Sequence, residues 1–400
     1  MGSTRRKAGQ LAPQVDGYRA WLAQRGYTPG TIVNMLKDLG QVGLWLSAEG
    51  LQADQLDEKR MVAFLAARRR TGRRKAPGIR AMVPLLTYLR EAGVAPPPNS
   101  PLTPLGGLLR QYRSWMVQER NLAPETMLRY EKTARRFLAE QAVVDGVFTP
   151  AALTGADVNA FLLRECARVS SGSAKGRVGE LRSVLRFLYL QGITPLRLGT
   201  AVPPVGGWRL ATLPPPPLSV SDIQRLLDGC DRNILVGIRD FAIITLVARL
   251  GLRSIEVARL ELGDVDWRAG ELVVRGKGHR QDRLPLPAEV GEALVAYLSC
   301  GRGPERDRHL FLTCRAPRGP IRADLVGDVV ERACKRAGLP RMGPHRLRHA
   351  LAGQLLRQGA GLAAISQVLR HQDLATTALY AKVDLSMLRH VAQPWPGAAR

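Results

Sequence analysis

The sequence predicts a mainly helical protein with one small β-sheet in its last third, on three observations. Apolar residues recur at helical spacing through most of the chain. Two proline-rich breaks cut it into three segments. Only the third segment carries a strand–turn–strand pattern.

The first break is Val94-Ala-Pro-Pro-Pro-Asn-Ser-Pro101; the second runs from Pro203 and Pro204 to Leu213-Pro-Pro-Pro-Pro-Leu218. Proline runs are extended and cannot continue a helix, so both read as linkers. The predicted organisation is a helical module over 1–95, a linker over 96–104, a second helical module over 105–200, a linker over 201–217 and a third domain over 218–400. A chain of 400 residues suits two or three domains of roughly 100–200 residues each.

The first two segments resemble each other. Tyr18-Arg-Ala-Trp21 and a following Pro29 and Thr31 match Tyr112-Arg-Ser-Trp115 with Pro124 and Thr126, one residue being inserted. Ala63-Phe64-Leu65 matches Ala160-Phe161-Leu162, and Leu85–Leu89 matches Val184–Leu188, with Gly93 and Gly192 four residues beyond. An ordered match of this kind points to duplication of one small all-helical module. Leu181, Val184, Leu185 and Leu188 give the second copy a helical apolar stripe.

In the third segment, Ser219 or Ser221 caps a helix start. Arg239 to Leu250 reads as a buried helix, Glu271–Arg275 as a strand, Gly276–Asp282 as a turn and Arg283–Leu286 as the returning strand. The remainder reads as helical to about Val391, with a loose tail after it.

Composition narrows the partners. Lys and Arg total 59 against 34 Asp and Glu, a formal charge of +25, which calls for a polyanion. The longest apolar stretch, Phe241 to Leu252, is interrupted by Arg249 and is shorter than the ~20 residues of a membrane span. DNA is therefore favoured over a membrane surface. The run Arg68-Arg-Arg-Thr-Gly-Arg-Arg-Lys75 is a candidate phosphate contact. The five cysteines form no C-x-x-C pair and read as reduced thiols of a cytosolic protein. The basic stretch Met1–Gln10 is not followed by the apolar run of a secretory signal.

Five short pieces of the third segment carry polar chemistry: Gly251-Leu-Arg253-Ser-Ile-Glu256, Gly276-Lys277-Gly278, His345-Arg-Leu-Arg348-His, Leu369-Arg370-His371 and Thr376-Thr-Ala-Leu-Tyr380. Singly each has an ordinary reading: an Arg253–Glu256 ion pair at i, i+3, a capping His371, a packing Tyr380. Two other motifs fail. His345 and His349 have the spacing of a zinc-protease helix, but Arg346 stands where the glutamate is needed, and Arg348 adds charge that repels a divalent cation. Gly276-Lys277-Gly278 lacks the Ser or Thr and the upstream glycine of a P-loop.

Together the pieces suit metal-free cleavage of a phosphodiester. Two guanidiniums, from Arg253 and Arg348, can clamp the non-bridging oxygens as charge gathers there. His345 lies three residues before Arg348 on one helix face and can handle a proton near neutrality. A phenol is a poor nucleophile until deprotonated, and cationic surroundings help to deprotonate Tyr380. Lys277, the only lysine between Lys175 and Lys335 in an arginine-rich chain, can give a proton to the leaving oxygen where an arginine cannot.

In this order the residues resemble the tyrosine recombinase, or phage integrase, family, whose catalytic domain carries Arg, a hairpin Lys, His-x-x-Arg, His or Trp, and Tyr. The matches are Arg253, Lys277, His345, Arg348, His371 and Tyr380. The resemblance spans about Leu218 to Val391; the second module is similar to the family's helical, SAM-like core-binding domain, and the first is an addition to that plan. It implies that Tyr380 attacks a scissile phosphate to give a 3′-phosphotyrosyl link and a free 5′-hydroxyl, with neither metal nor ATP nor other cofactor. It also implies double-stranded DNA sites as substrate, a homotetramer exchanging C-terminal segments (here 384–391), accessory partners of unknown kind, and a cytoplasmic, nucleoid-associated location, as for an enzyme of a mobile element. One position departs: Arg370 stands where the family has glycine, which matters if the backbone there needs positive φ. A non-catalytic DNA-binding regulator and a type IB topoisomerase are the alternative readings.

Overall fold

The computed structural model describes residues 8–70, 78–97, 103–144, 146–169, 171–203, 218–276, 281–302 and 307–370. The chain divides into two compact units, Met1–Ala95 with Thr212–Arg400, and Pro96–Ala211. Each of the three large hydrophobic cores is drawn from a single sequence segment. No described helix is long and apolar enough to cross a membrane.

The first segment forms α1 (Val15–Gln24), α2 (Pro29–Ala48), α3 (Glu58–Arg70) and α4 (Ile79–Glu91). The second forms α5 (Pro104–Gln118), α6 (Pro124–Gln141), a two-stranded hairpin β1–β2 (Val143–Val144, Val147–Phe148), α7 (Gly155–Arg168) and α8 (Ser171–Leu190). Proline at the first helical position starts α2, α5 and α6, where its missing N–H is no loss. Thr154 and Asp157 cap α7 reciprocally.

The residues that matched in sequence build matching packing. Tyr18, Trp21 and Tyr88 form a ring triad with centroids 6.0, 5.1 and 5.9 Å apart. Tyr112, Trp115 and Phe187 form another, at 6.0, 5.1 and 5.7 Å. Edge-on pairs recur as well, Trp45–Phe64 at 5.7 Å and Phe137–Phe161 at 5.2 Å. Burial raises the phenol pKa of Tyr18 and of Tyr112 far above the usual range. Beyond α4 and α8 the chain turns at Gly93 (φ 68°) and Gly192 (φ 67°), where a side chain would be strained.

In the third segment Ser219, not Ser221, caps α9 (Val220–Asp228), accepting from the Asp222 amide at 3.0 Å. Helix α10 (Leu235–Leu250) is apolar on nearly all sides and forms the centre of the core. Around it pack the short α11 (Ser254–Ala258), α12 (Ala288–Ala296), α13 (Ala323–Ala337) and α14 (Pro344–Arg357). A three-stranded antiparallel sheet of order β3-β4-β5 (Val265–Asp266, Glu271–Arg275, Gln281–Pro285) lies between α11 and α12 in sequence. Its register pairs Leu272 with Leu284 and Val274 with Asp282. The alternation turns Leu272, Val274 and Leu284 into the core.

Two expectations need correction. The second module is not all-helical, because the β1–β2 hairpin stands between α6 and α7, in a stretch where Val143, Val144, Val147 and Phe148 flank a tight turn. The third segment is not helical throughout after its own hairpin. After α12 and a π-helical turn (Tyr297–Gly301), residues 307–322 lack helix and form the isolated bridges Glu261↔His309 and Leu312↔Pro320. Pro317, Gly319 and Pro320 bar a helix there. The segment resumes as α13, α14 and α15 (Leu362–Leu369). The helix expected up to Val391, and the 384–391 segment expected to exchange between protomers, lie outside the described residues.

Candidate active site

The site grows from the end of α10. Gly251 stops that helix in the left-handed conformation (φ 59°, ψ 33°) and donates its amide to the Val247 carbonyl at 3.1 Å. A Cβ at this position would stand 2.8 Å from Leu369 Cδ2 and 3.1 Å from Leu351 Cδ2, so glycine serves both backbone and packing.

Two residues on, Arg253 caps α11. Its amide donates to Glu256 Oε2 at 2.8 Å and its Nη1 to Glu256 Oε1 at 2.6 Å. The i, i+3 ion pair read from the sequence is therefore present, and it also closes the helix start. The Arg253 Nη2 donates to the Arg370 carbonyl at 3.0 Å. Its side chain keeps 33% of its surface exposed, so the guanidinium is held by two edges and still faces solvent.

Arg348 is buried in the first half of α14, which starts at Pro344. Its Nη1 donates to the Gly251 carbonyl and its Nη2 to the Leu369 carbonyl. Arg253 thus holds the Arg370 carbonyl and Arg348 the adjacent Leu369 carbonyl, while Arg348 also holds Gly251, two residues before Arg253. His345 is exposed at the start of α14. Desolvation by the surrounding protein, then the charges of Arg348 and Arg253, pushes its pKa below the ordinary histidine value. The shift favours the neutral imidazole, the form that can accept a proton. His349 shifts the same way, through desolvation, His345, Arg348 and Arg346.

Arg370 ends α15 in the left-handed conformation (φ 53°, ψ 46°). Positive φ at this position is the condition under which a residue other than glycine matters. The arginine turns its side chain inward: Nη2 meets Glu256 Oε2 at 2.8 Å and the Gly251 carbonyl at 3.4 Å, and Nη1 donates to the Val368 carbonyl at 2.9 Å. Burial opposes ionisation of Glu256, but the Arg370 charge, then the Arg253 amide and guanidinium, outweigh it and hold the carboxyl below its usual range.

Of the six residues singled out from the sequence, Arg253, His345 and Arg348 come together here. Lys277, His371 and Tyr380 lie outside the described residues. The base of the hairpin that carries Lys277 is fixed by Arg275, which meets buried Asp264 at 2.9 Å (Nη1 to Oδ2) and 2.7 Å (Nη2 to Oδ1). Sequence reasoning named Glu256 only as an ion-pair partner and Arg370 only as a departure. The i, i+3 spacing signalled the first. Nothing local signalled that Arg370 reaches back to α11.

Residues 217–387 match the model of the phage integrase family. The integrase/recombinase y4rA of Sinorhizobium fredii is 36% identical over 98% of this chain and 96% of its own length. Tyrosine recombinase XerD of Mycobacterium tuberculosis is 31% identical over 72% of this chain and 96% of its own. In fold, the chain is similar to the XerH site-specific recombinase bound to a palindromic difH substrate, with TM-score 0.53 and 20% identity over 72% of this chain and 84% of that one. It is likewise similar to a lambda integrase (75–356) dimer bound to a COC′ core site, with TM-score 0.53 and 16% identity over 73% of this chain and 98% of that one. With a relative at 36% identity along nearly its whole length, and with residues 217–387 matching the family model, the chain belongs to the tyrosine recombinase (phage integrase) family.

Proposed function

We propose that the protein is a site-specific DNA recombinase that cuts and rejoins duplex DNA through a covalent phosphotyrosyl intermediate, in the service of a mobile element. The observation that carries this reading is the convergence of Arg253 and Arg348 on one seam of the third segment, with His345 one helical turn before Arg348 on the same helix. In the proposed step the Tyr380 phenol oxygen forms a bond to the scissile phosphorus and the bond from phosphorus to the 5′-oxygen breaks. His345 takes the phenol proton, and Lys277 gives one to the departing 5′-oxygen. Arg253 and Arg348 hold the non-bridging oxygens, where charge accumulates in the transition state, and His371 adds a further donor. A 5′-hydroxyl from a partner duplex reverses the step on a new strand. One phosphodiester-type ester replaces another, so the exchange needs no ATP, and the reading assigns no metal or cofactor.

Residues 105–200 are read as the core-binding module and 1–95 as its duplicate, supported by the ordered sequence match and the two like ring triads. The working assembly is a homotetramer on two DNA sites, and the place of action is the nucleoid in the cytoplasm. The net charge of +25 supports DNA as substrate. The test is covalent trapping on nicked duplexes from the DNA flanking the protein's own gene. The wild type forms a denaturation-resistant adduct, and Tyr380→Phe binds the duplex without forming one. Adduct formation by Tyr380→Phe at the wild-type rate refutes the role of Tyr380. DNA binding with no adduct from either protein favours the regulator reading, and relaxation of random plasmid DNA by a monomer favours the topoisomerase reading.

A further inference from the structure

We propose that Arg370 is a positioning residue that ties the two phosphate-clamping arginines into one unit, by closing Glu256 on one side and the Gly251 carbonyl on the other. The inference rests on Arg253 and Arg348 having the role given them above.

The geometry is specific. Glu256 Oε1 accepts from Arg253 and Oε2 accepts from both the Arg253 amide and Arg370 Nη2. The Gly251 carbonyl accepts from both Arg348 Nη1 and Arg370 Nη2. The Arg370 carbonyl accepts from Arg253 Nη2 at 3.0 Å. Arg370 therefore touches the support of Arg253 twice and that of Arg348 once, and no other described side chain bonds to both Glu256 and Gly251. Two costs are carried for this. A non-glycine residue sits at positive φ, and the Arg370 Nε is buried without an acceptor among the described residues. Outliers that the surroundings over-determine are where function is to be sought.

The charge count makes the same point. Glu256 is one carboxylate beside two guanidiniums, those of Arg253 and Arg370, while the third, Arg348, shares the Gly251 carbonyl with Arg370. With a neutral residue at 370, the carboxylate would offset one of the two clamping cations. With Arg370 present, the cluster keeps both positive charges for the phosphate. The charged groups facing Glu256 are Arg253 from its own helix and Arg370 from the end of α15. Arg348 and His345 on α14 reach the cluster through Gly251 and Arg253. Helices α10 and α13, which also pack on α11, place no cation in salt-bridge range of Glu256 among the described residues.

The test compares full-length wild type with Arg370→Gly, Arg370→Asn and Arg370→Lys. Glycine and asparagine both enter the left-handed region, so a purely steric or backbone role predicts neutral or stabilised variants at every pH. The tie predicts otherwise. A carboxylate with a depressed folded-state pKa contributes stability above its unfolded value, and that contribution is lost as pH falls through the folded value. Removing Arg370 raises the folded value, so the two neutral variants are less stable than wild type at pH 7, and the gap narrows as pH falls through and below the ordinary carboxylate range. At saturating nicked duplex and pH 7, adduct formation by Arg370→Gly falls at least tenfold with DNA affinity within threefold of wild type, and Arg370→Lys recovers part of the rate. A stability gap that does not change with pH, or a Gly variant that cleaves as fast as wild type, overturns the proposal. A wild type that forms no adduct while the pH-dependent gap persists overturns the recombinase reading instead, and leaves the tie through Glu256 standing.

Discussion

Glu256→Gln is the substitution whose cost can be worked most fully from the structure. The amide has the size of the carboxylate, so packing is conserved and the change isolates charge and hydrogen-bond polarity. Three donors point at the two oxygens of Glu256. A glutamine has one acceptor oxygen, so its NH2 must face at least one of those donors and lose that bond. The two ion pairs differ in weight. Arg253 is 33% exposed, so solvent screens its attraction to Glu256 and the pair contributes at most about 1 kcal/mol. The Arg370 and Glu256 side chains are 3% and 2% exposed, and removing one partner of such a buried pair costs about 3–5 kcal/mol, because the other charge stays buried alone. The whole loss should thus be about 3–5 kcal/mol, most of it traced to Arg370. Urea unfolding at pH 7 of Glu256→Gln, Arg370→Met and the double variant measures it as a cycle. The coupling should be about 2–3 kcal/mol, with the double variant much less damaged than the sum of the singles. A Glu256→Gln loss below about 1 kcal/mol, or simple additivity, would refute the reasoning.

Three further expectations follow from the same geometry. Gly251→Ala should cost about 1–3 kcal/mol, since it forces a side chain into the left-handed region and against Leu369, and thermal unfolding will measure it. His345 carries a pKa below the usual histidine value, so a role as proton acceptor makes cleavage fall as pH drops through a midpoint below about 6.5; single-turnover rates across pH 5–8 giving a midpoint above that value would contradict the role. Arg275→Ala leaves buried Asp264 without its cation and loosens the hairpin base two residues before Lys277, so cleavage should slow roughly tenfold to a hundredfold at unchanged DNA affinity, and equal rates would show that the hairpin needs no such anchor.

Much of the fold was legible because its signals are local. The strand Glu271–Arg275 was legible as a largely β-branched apolar run between two charged residues, and the break at Gly251 ends a helix that nothing else in Leu235–Leu250 would end. The paired ring triads were legible as a recurring Tyr…Trp spacing, since side chains three apart share a helix face. The extended path of 307–322 was missed because apolar residues such as Leu310, Phe311 and Leu312 fit either a buried helix or a buried strand, and only Pro317 and Pro320 argued against helix. In the candidate site, the Arg253–Glu256 pair was legible because it lies within one turn. The inward path of Arg370 was not, because its partners Glu256 and Gly251 lie 114 and 119 residues away and only tertiary packing brings them near.

The most direct test of the central claim is chemical mapping of the protein–DNA linkage. Wild-type protein trapped on a nicked duplex from its own flanking DNA is digested, and the modified peptide and the freed DNA end are identified. Strand transfer through a phosphotyrosine requires a nucleotide 3′-phosphate on the peptide containing Tyr380 and a 5′-hydroxyl on the released strand, one that polynucleotide kinase labels without prior phosphatase. A link to any other residue, or a released 5′-phosphate, contradicts it.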